Sequence, residues 1–512
     1  MTAHFMFIGA MACLAWANVR AQTNQPNMVF FLTDDLDLEL GSMMKPLVRT
    51  RQLIGDGGVT FANAYVTTPL CCPSRSSILT GRYVHNVGVF NNSLSGGCSS
   101  QHWQRGPERG AFAVDLQKAG YETFYAGKYL NRYGHKKAGG VQHVPPGWTN
   151  WNGLVGNSVY YNYTLSINGS AEKHGDNPNK DYLTDVLRAK ALSFLEGRAD
   201  RRRPFFMMLS TPSPHAPFTP AMRHRNAFPN VTAPRTPSFN TSVNGTKHWL
   251  VRQAIHPIPE DVVSWIDEAY RNRLRTLLSV DDMVADVLGY LMSKQLLNNT
   301  YVFFSSDNGY HLGQFSMPKD KRHIYETDIH VPLLVRGPGV TAGRVEQGVA
   351  LNVDLAPTFL DLAGLPPHGD MDGVSLKPLL LSRASYDSQP RQSFLVEYRG
   401  EGVERPFHEE CPVLQGLSGC DPEVECECQD SVNNTYLCTR HISANASTKF
   451  CIFDDDEGFV ESYNLTADPY ELENTFLSSG SALRGYDGRT CLSELRSCRR
   501  ESCYVDCWKP VR

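Results

Sequence analysis

Short apolar runs punctuate the chain. Met28 to Leu32, Thr123 to Ala126, Phe205 to Leu209, Tyr301 to Phe304 and Pro332 to Val335 are each β-rich for a few residues, then break into polar or glycine-containing segments. An uninterrupted apolar strand has both faces covered, the pattern of a parallel sheet. Between these runs the period changes. Ser76 to Gly81 (after a proline), Ala111 to Ala119, Thr184 to Leu195 and Arg273 to Met292 read as helices. In the last, Leu277, Val280, Met283, Val284, Val287 and Leu291 recur at helical spacing. Strand alternating with helix predicts an α/β fold, with a large mixed, mostly parallel sheet flanked by helices. Around residue 395 the pattern turns to short strands, acidic clusters and cysteines, so a smaller C-terminal α+β unit is expected. The expected division is a main domain over 22–395 and a cysteine-rich subdomain over 396–512.

Ligands of such sheets sit beyond the carboxyl ends of the strands, and that rule sorts the polar residues. Asp34 and Asp35 follow the first run, Lys128 the second, His215 the third, and Asp307 and Asn308 the fourth. Chemically capable side chains therefore gather at one edge. Pro212 to Gly245, rich in proline, serine and asparagine, reads as a long surface excursion bordering that edge.

Composition narrows the setting. The chain of 512 residues, 41% apolar, can bury a large core and suggests two or three structural units. A formal net charge of -4 gives no basic excess and argues against a nucleic-acid partner. Phe5 to Trp16 is apolar but short for a bilayer, and Val19-Arg20-Ala21 offers small residues at signal-peptidase spacing. Residues 1–21 are thus expected to be a removed signal peptide, and no later stretch reaches membrane length. N-x-S/T sequons begin at Asn91, Asn162, Asn168, Asn230, Asn240, Asn244, Asn298, Asn433, Asn445 and Asn464, consistent with passage through the secretory pathway. Only Cys13, Cys71, Cys72 and Cys98 precede residue 400, while ten more cysteines crowd the remainder, from Cys411 to Cys507. A disulfide-stapled tail in an oxidising compartment is expected. The alternative, a zinc site around Cys426 and Cys428, has spacings that match no finger or ribbon.

Cys71-Cys72-Pro73-Ser74-Arg75, continuing through Leu79-Thr80-Gly81-Arg82, is the most specific pattern in the chain. It resembles the signature C-x-P-S-R followed by L-T-G of the sulfatase family, part of the alkaline phosphatase superfamily. In that family a formylglycine-generating enzyme converts the cysteine to formylglycine (3-oxoalanine). The bland alternative is a buried cysteine pair beside a helix-starting proline. The resemblance implies that Cys71 is the modified residue, whose hydrated aldehyde presents two hydroxyls. One attacks sulfur and the other later expels sulfate by rebuilding the carbonyl, dividing one hard displacement into two easier steps. Arg75 would hold that side chain and screen the anionic sulfate.

Asp34-Asp35 and Asp307-Asn308-Gly309 offer hard oxygen ligands of the kind calcium or magnesium takes, although each is also a good turn sequence. The resemblance places Asp34, Asp35, Asp307 and Asn308, with the modified Cys71, around one calcium ion that neutralises sulfate oxygens. Lys128, in Ala126-Gly127-Lys128-Tyr129, resembles the family's G-K segment, whose lysine binds a sulfate oxygen. A lone lysine after a strand is otherwise a solvated charge. His215, in Ser213-Pro214-His215-Ala216-Pro217, resembles the P-H-x-P segment, and its histidine is a candidate to protonate the leaving oxygen. Lys321, followed at the family spacing by Tyr325-Glu326, is the other candidate, with Lys319 as the alternative two residues earlier.

One position departs from the pattern. Many sulfatases carry a histidine two residues after the catalytic lysine, where this chain has Leu130. Gly127-Lys128-Tyr129-Leu130-Asn131, Cys71-Cys72 and Gly313-Gln314-Phe315 through Asp320-Lys321-Arg322 instead resemble the branch acting on glucosamine 6-sulfates. His311 near the metal loop is a candidate for the missing group. The resemblance runs from about Pro26 to Gly373, with Tyr463 to Pro469 similar to a common closing segment. It implies an enzyme removing 6-O-sulfate from glucosamine in heparan or keratan sulfate, in the lysosome or outside the cell. The competing readings are an arylsulfatase of other range, a phosphonate or phosphate monoester hydrolase, or a catalytically dead glycan-binding protein. The intact candidate set argues against the last.

Overall fold

Ten strands form the main sheet: β1 (Asn27–Thr33), β2 (Val59–Tyr65), β3 (Glu122–Lys128), β4 (Asn150–Leu154), β5 (Thr164–Ile167), β6 (Ser170–Lys173), β7 (Phe205–Ser210), β8 (Thr300–Ser306), β9 (Leu333–Arg336) and β10 (Arg344–Leu351). This computed structural model describes residues 25–40, 43–200, 202–243, 245–381, 391–401, 410–412, 416–479 and 488–505. The expected signal peptide, Cys13, Asn244 and Cys507 lie outside them. Across the sheet the order is β10-β2-β9-β8-β1-β7-β3-β4-β5-β6. Its centre is parallel, with β1 between β8 and β7, and β3 between β7 and β4.

The alternation of side chains along these strands divides the interior in two. Val29, Phe31, Met207, Leu209, Val302 and Phe304 point into one apolar cluster. Met28, Phe30, Leu32, Phe206, Met208 and Phe303 point into the other. The helices Leu183–Gly197 and Glu260–Ser293 cover the first face. Cys71–Thr80, Phe112–Lys118 and Leu355–Leu362 cover the second. Double coverage is why the central strands read as unbroken apolar runs. The mixed, mostly parallel α/β sheet expected from the sequence is the one observed.

Some expectations change. The run at Pro332 to Val335 was expected as a parallel strand, but β9 lies antiparallel to both β2 and β8. Apolarity reports burial, not direction. Between β8 and β9 the chain forms only a one-turn helix, Glu326–Ile329, not the long crossover that parallel pairing requires. The helix expected from Ser76 begins earlier, at Cys71. Pro73 is tolerated because first-turn amides have no intrahelical partner. The helix expected from Arg273 begins at Glu260 and runs 34 residues.

In the C-terminal part, β11 (Ser393–Tyr398), β12 (Leu417–Ser418), β13 (Asp430–Ser431), β14 (Tyr436–Ile442), β15 (Ser447–Phe453) and β16 (Val460–Asn464) follow. β11-β14-β15-β16 form an antiparallel sheet, and β12 pairs with β13. One face, with Leu395 and Phe450, receives Leu492 and Leu495 of the helix Gly488–Leu495. The other, with Phe394, Val396, Tyr436 and Phe453, packs on Tyr65, Tyr325, Ile329 and Val331. Disulfides join Cys72–Cys98, Cys411–Cys426, Cys420–Cys428, Cys438–Cys451 and Cys498–Cys503. The zinc alternative at Cys426 and Cys428 is thereby overturned, since bonded cysteines offer no thiolate. No helix among the described residues is long and apolar enough to cross a membrane.

Candidate active site

The parallel strands end on one edge, and the polar residues after them converge there. Asp34 and Asp35 follow β1, Lys128 ends β3, His215 follows β7, and Asp307 and Asn308 follow β8. Cys71 opens the helix after β2, and Arg75 lies one turn further along. Lys321 arrives from the loop between β8 and β9. Carboxylate oxygens of Asp34, Asp35 and Asp307 lie within 4.8 Å of one another, and ligand atoms of Asp34, Cys71 and His215 form a second group at the same limit.

Every one of these residues except His215 is buried, so their charges must be answered locally. Arg75 Nε donates to Asp307 Oδ2 at 2.7 Å, and its Nη1 to Ser210 Oγ at 2.6 Å and the Lys128 carbonyl at 2.9 Å. Lys128 Nζ donates to both Asp34 oxygens, at 3.0 and 2.7 Å. Lys321 Nζ donates to both Asp35 oxygens at 2.6 Å. Three carboxylates thus face three cations. Cys71 Sγ lies 3.7 Å from Asp34 Oδ1, and His215 Nε2 lies 3.9 Å from Asp35 Oδ2. Asn308 Nδ2 donates to Asp35 Oδ1 at 2.7 Å, which leaves its carbonyl oxygen buried without a hydrogen-bond partner.

These surroundings bias protonation. Burial alone would raise Asp34, but Lys128, His215, Arg75 and Lys321 together hold it well below the ordinary carboxylate range. Burial likewise opposes ionisation of Asp35, and Lys321 with His215 overcomes it. For Asp307 burial dominates despite Arg75, pushing it up to about 7. Burial pushes the Cys71 thiol up to about 12 and lowers His215 against the pull of Asp34 and Asp35. A hard divalent cation suits this donor set. Three clustered carboxylates and the orphaned Asn308 oxygen are oxygen ligands of the type calcium takes.

A cleft of about 970 Å³ opens above the cluster, with Asp35, His215, Tyr310 and Lys321 on its floor and Asn92, Arg132, Arg322, Glu401 and Asp421 among its walls. The excursion after β7 reaches it through His215 and Ala216. Lys319 also lines the cleft, where it pairs with Asp421 rather than with Asp35. His311 Nδ1 donates to Asp328 Oδ1 at 3.0 Å in a fully buried pair, and Leu130 is buried in the apolar core.

Some contacting residues escaped the sequence reading. Ser158 Oγ donates to Asp34, Asn92 Oδ1 accepts from the Cys72 amide at 3.0 Å, and Arg273 donates to the Asp35 carbonyl from the long helix. Ser210 could have been found as the last residue of an apolar strand. Ser158 follows β4, whose Asn-Trp-Asn-Gly-Leu sequence carries no strand signal.

The family profile described as Sulfatase matches residues 26–365. N-acetylglucosamine-6-sulfatase of Homo sapiens is 50% identical over 497 residues, covering 96% of this chain and 88% of the relative. The extracellular sulfatase SULF-1 homolog of Drosophila melanogaster is 44% identical over 386 residues, covering 74% of this chain and 34% of the relative. Among solved structures, a protein in complex with its substrate D-glucosamine-2-N,6-O-disulfate aligns with a TM-score of 0.71 at 25% identity, covering 92% of this chain and 96% of that one. A phosphonate monoester hydrolase from Silicibacter pomeroyi aligns at 0.63 with 19% identity over 89% and 94%, a likeness of fold alone.

Proposed function

The chain belongs to the sulfatase family and is a sulfuric ester hydrolase, and from that premise we propose that it removes the 6-O-sulfate of glucosamine residues in glycosaminoglycans such as heparan or keratan sulfate. The observation that carries the reading is the convergence of Asp34, Asp35, Asp307, Asn308, Cys71, Arg75, Lys128, His215 and Lys321 on one sheet edge, beneath one open cleft. Identity of 50% to N-acetylglucosamine-6-sulfatase over nearly the whole chain supports the substrate class.

Asp34, Asp35, Asp307 and Asn308, with the side chain at position 71, would hold one calcium ion, which supplies positive charge for the sulfate oxygens. Formylglycine made from Cys71 by the modifying enzyme would supply the hydroxyl nucleophile. Arg75, fixed by Asp307 and Ser210, orients that side chain. Lys128, bonded to both oxygens of Asp34, adds a cation there and would bind a sulfate oxygen. His215, on the cleft floor, is assigned to protonate the leaving sugar oxygen, with Lys321 as its neighbour in the pocket. With Leu130 in the core and His311 paired to Asp328, His215 is the imidazole that stands at Cys71.

The disulfides and sequons support a route through the secretory pathway to the lysosome or the extracellular space. The proposed division is a catalytic domain over 22–395 and a C-terminal subdomain from 396, with β11 (Ser393–Tyr398) spanning that boundary and pairing in the C-terminal sheet. Sulfate release from monosaccharide 6-sulfates, activated aryl sulfates and aryl phosphates tests the reading. Glucosamine 6-sulfate is expected to be hydrolysed and phosphate esters hardly at all. Phosphate release exceeding sulfate release would favour the phosphomonoester alternative.

A further inference from the structure

Lys321 sits on a strained piece of backbone. Its neighbours Asp320 and Arg322, neither a glycine, have φ of 116° and 90°. Such conformations are unfavourable for a non-glycine residue and persist only where the surroundings impose them. What imposes them here comes largely from the C-terminal sheet and its connections. Tyr436 Oη, at the start of β14, donates to the Arg322 carbonyl at 3.0 Å, and Asn434 Nδ2 donates to the same oxygen at 3.3 Å. The Arg322 guanidinium pairs closely with Asp320 and faces the carboxylates of Glu401 at 3.6 Å and Asp430 at 3.5 Å, ion pairs in which its Nε makes no hydrogen bond. Asp430 is itself anchored, accepting from Tyr398 Oη at 2.6 Å and from the Glu401 amide at 3.0 Å. Lys449 Nζ, from β15, donates to the Ile324 carbonyl at 2.7 Å. From the main domain, the His311 amide donates to the Asp320 carbonyl at 2.8 Å.

The outcome of this grip is the placement of one ammonium. Lys321 is a long side chain with much rotamer freedom to lose on being fixed, and its Nζ nevertheless meets both Asp35 oxygens at 2.6 Å on the cleft floor. We infer that Tyr436 and Asp430 are positioning residues for Lys321, acting through the carbonyl and the guanidinium of Arg322. On this assignment the C-terminal unit is a working part of the active site. The inference rests on the proposed role of Lys321 in turnover.

A double-mutant cycle on the full-length, modified enzyme tests it, with glucosamine 6-sulfate as substrate. Tyr436→Phe keeps the ring and removes the hydroxyl; it is expected to lower kcat/KM about tenfold, since small misplacements near the chemistry are costly. In a Lys321→Ala background the same change should cost less than about twofold, because residues acting through one another are not additive. A merely structural hydroxyl would cost the same factor in both backgrounds, and that result overturns the inference. Asp430→Asn run through the same cycle keeps the test available if Tyr436→Phe fails to fold. If Lys321→Ala alone turns over normally, the role given to Lys321 falls and the positioning with it. Additive losses on top of an impaired Lys321→Ala would instead remove the positioning alone.

Discussion

Adjacent cysteines at 71 and 72 have opposite fates. Cys72 is bonded to Cys98, while Cys71 is the free cysteine among the described residues and lies against Asp34. Only Cys71 has proline two and arginine four residues downstream. Conversion to formylglycine is therefore expected at Cys71 and not at Cys72. Mass spectrometry of the peptide ending at Arg75, from cells with the modifying enzyme, should find one thiol replaced by an aldehyde or its hydrate. Active protein with an intact Cys71 thiol would sink the assignment. Asp307 binds Arg75 and borders the carboxylate cluster at the end of β8 rather than packing in the apolar core. Asp307→Ala should abolish turnover, leave secretion largely intact and erase protection by calcium against thermal unfolding. Unchanged turnover would remove Asp307 from the site. For His215 the discriminating measurement is the leaving group. A sugar alkoxide needs a proton and an activated phenolate does not, so His215→Ala should slow a sugar 6-sulfate by about 10²-fold or more and an activated aryl sulfate far less. Equal losses would point to sulfate binding instead.

At the scale of elements, the site depends on how closely strand ends approach. Gly127 precedes Lys128 with φ of 110°, and a Cβ there would meet the Ser210 carbonyl oxygen at 1.8 Å. β3 and β7 pair at this point, Gly127 opposite Ser210. A methyl group would pry apart the strand ends that present Lys128 to Asp34 and Ser210 to Arg75. Gly127→Ala is therefore expected to destabilise the protein by about 2–4 kcal/mol and to reduce turnover at least as severely as Lys128→Ala. Urea unfolding together with kcat/KM would check both halves, and wild-type values would show that the strands tolerate separation. The glycine was legible in sequence as part of a motif, whereas its steric reason was not, because the opposing carbonyl lies some eighty residues away in the chain.

Across the whole molecule, His85 ties the helix after the signature segment to the C-terminal sheet. Its Nδ1 meets Glu397 of β11 at 2.7 Å and its Nε2 the Cys498 carbonyl at 2.9 Å. Both partners are acceptors, so the contact is complete only when both ring nitrogens carry protons. Burial would lower this histidine, but the hydrogen bond and charge of Glu397 raise it above its ordinary value. The stabilisation is accordingly full below about pH 6.5 and is lost as pH climbs through the raised folded value. His85→Gln should lower stability by about 1 kcal/mol in mild acid, and the gap from wild type should close toward alkaline pH. Thermal midpoints of both proteins across that range provide the check. A gap independent of pH would mean that the imidazole serves by packing alone.

Local sequence was enough to place the alternation of strands and helices and the sheet edge where Asp34, Lys128, His215 and Asp307 collect, and it singled out Cys71 as the residue expected to react. Those features are local: apolar runs, helical period and the spacing of Cys71, Pro73 and Arg75 are written within a few residues of one another. Tertiary structure decided the rest. The direction of β9 follows from its connection and not from its apolarity. Ser158, Asn92 and Arg273 reach the site from segments whose sequences carry no signal of it. The contacts of Tyr436 and Asp430 with Arg322, next to Lys321, join residues more than a hundred positions apart. Hydrogen bonds and ion pairs depend on distances in space, and the chain defines those distances only once both faces of the sheet are packed.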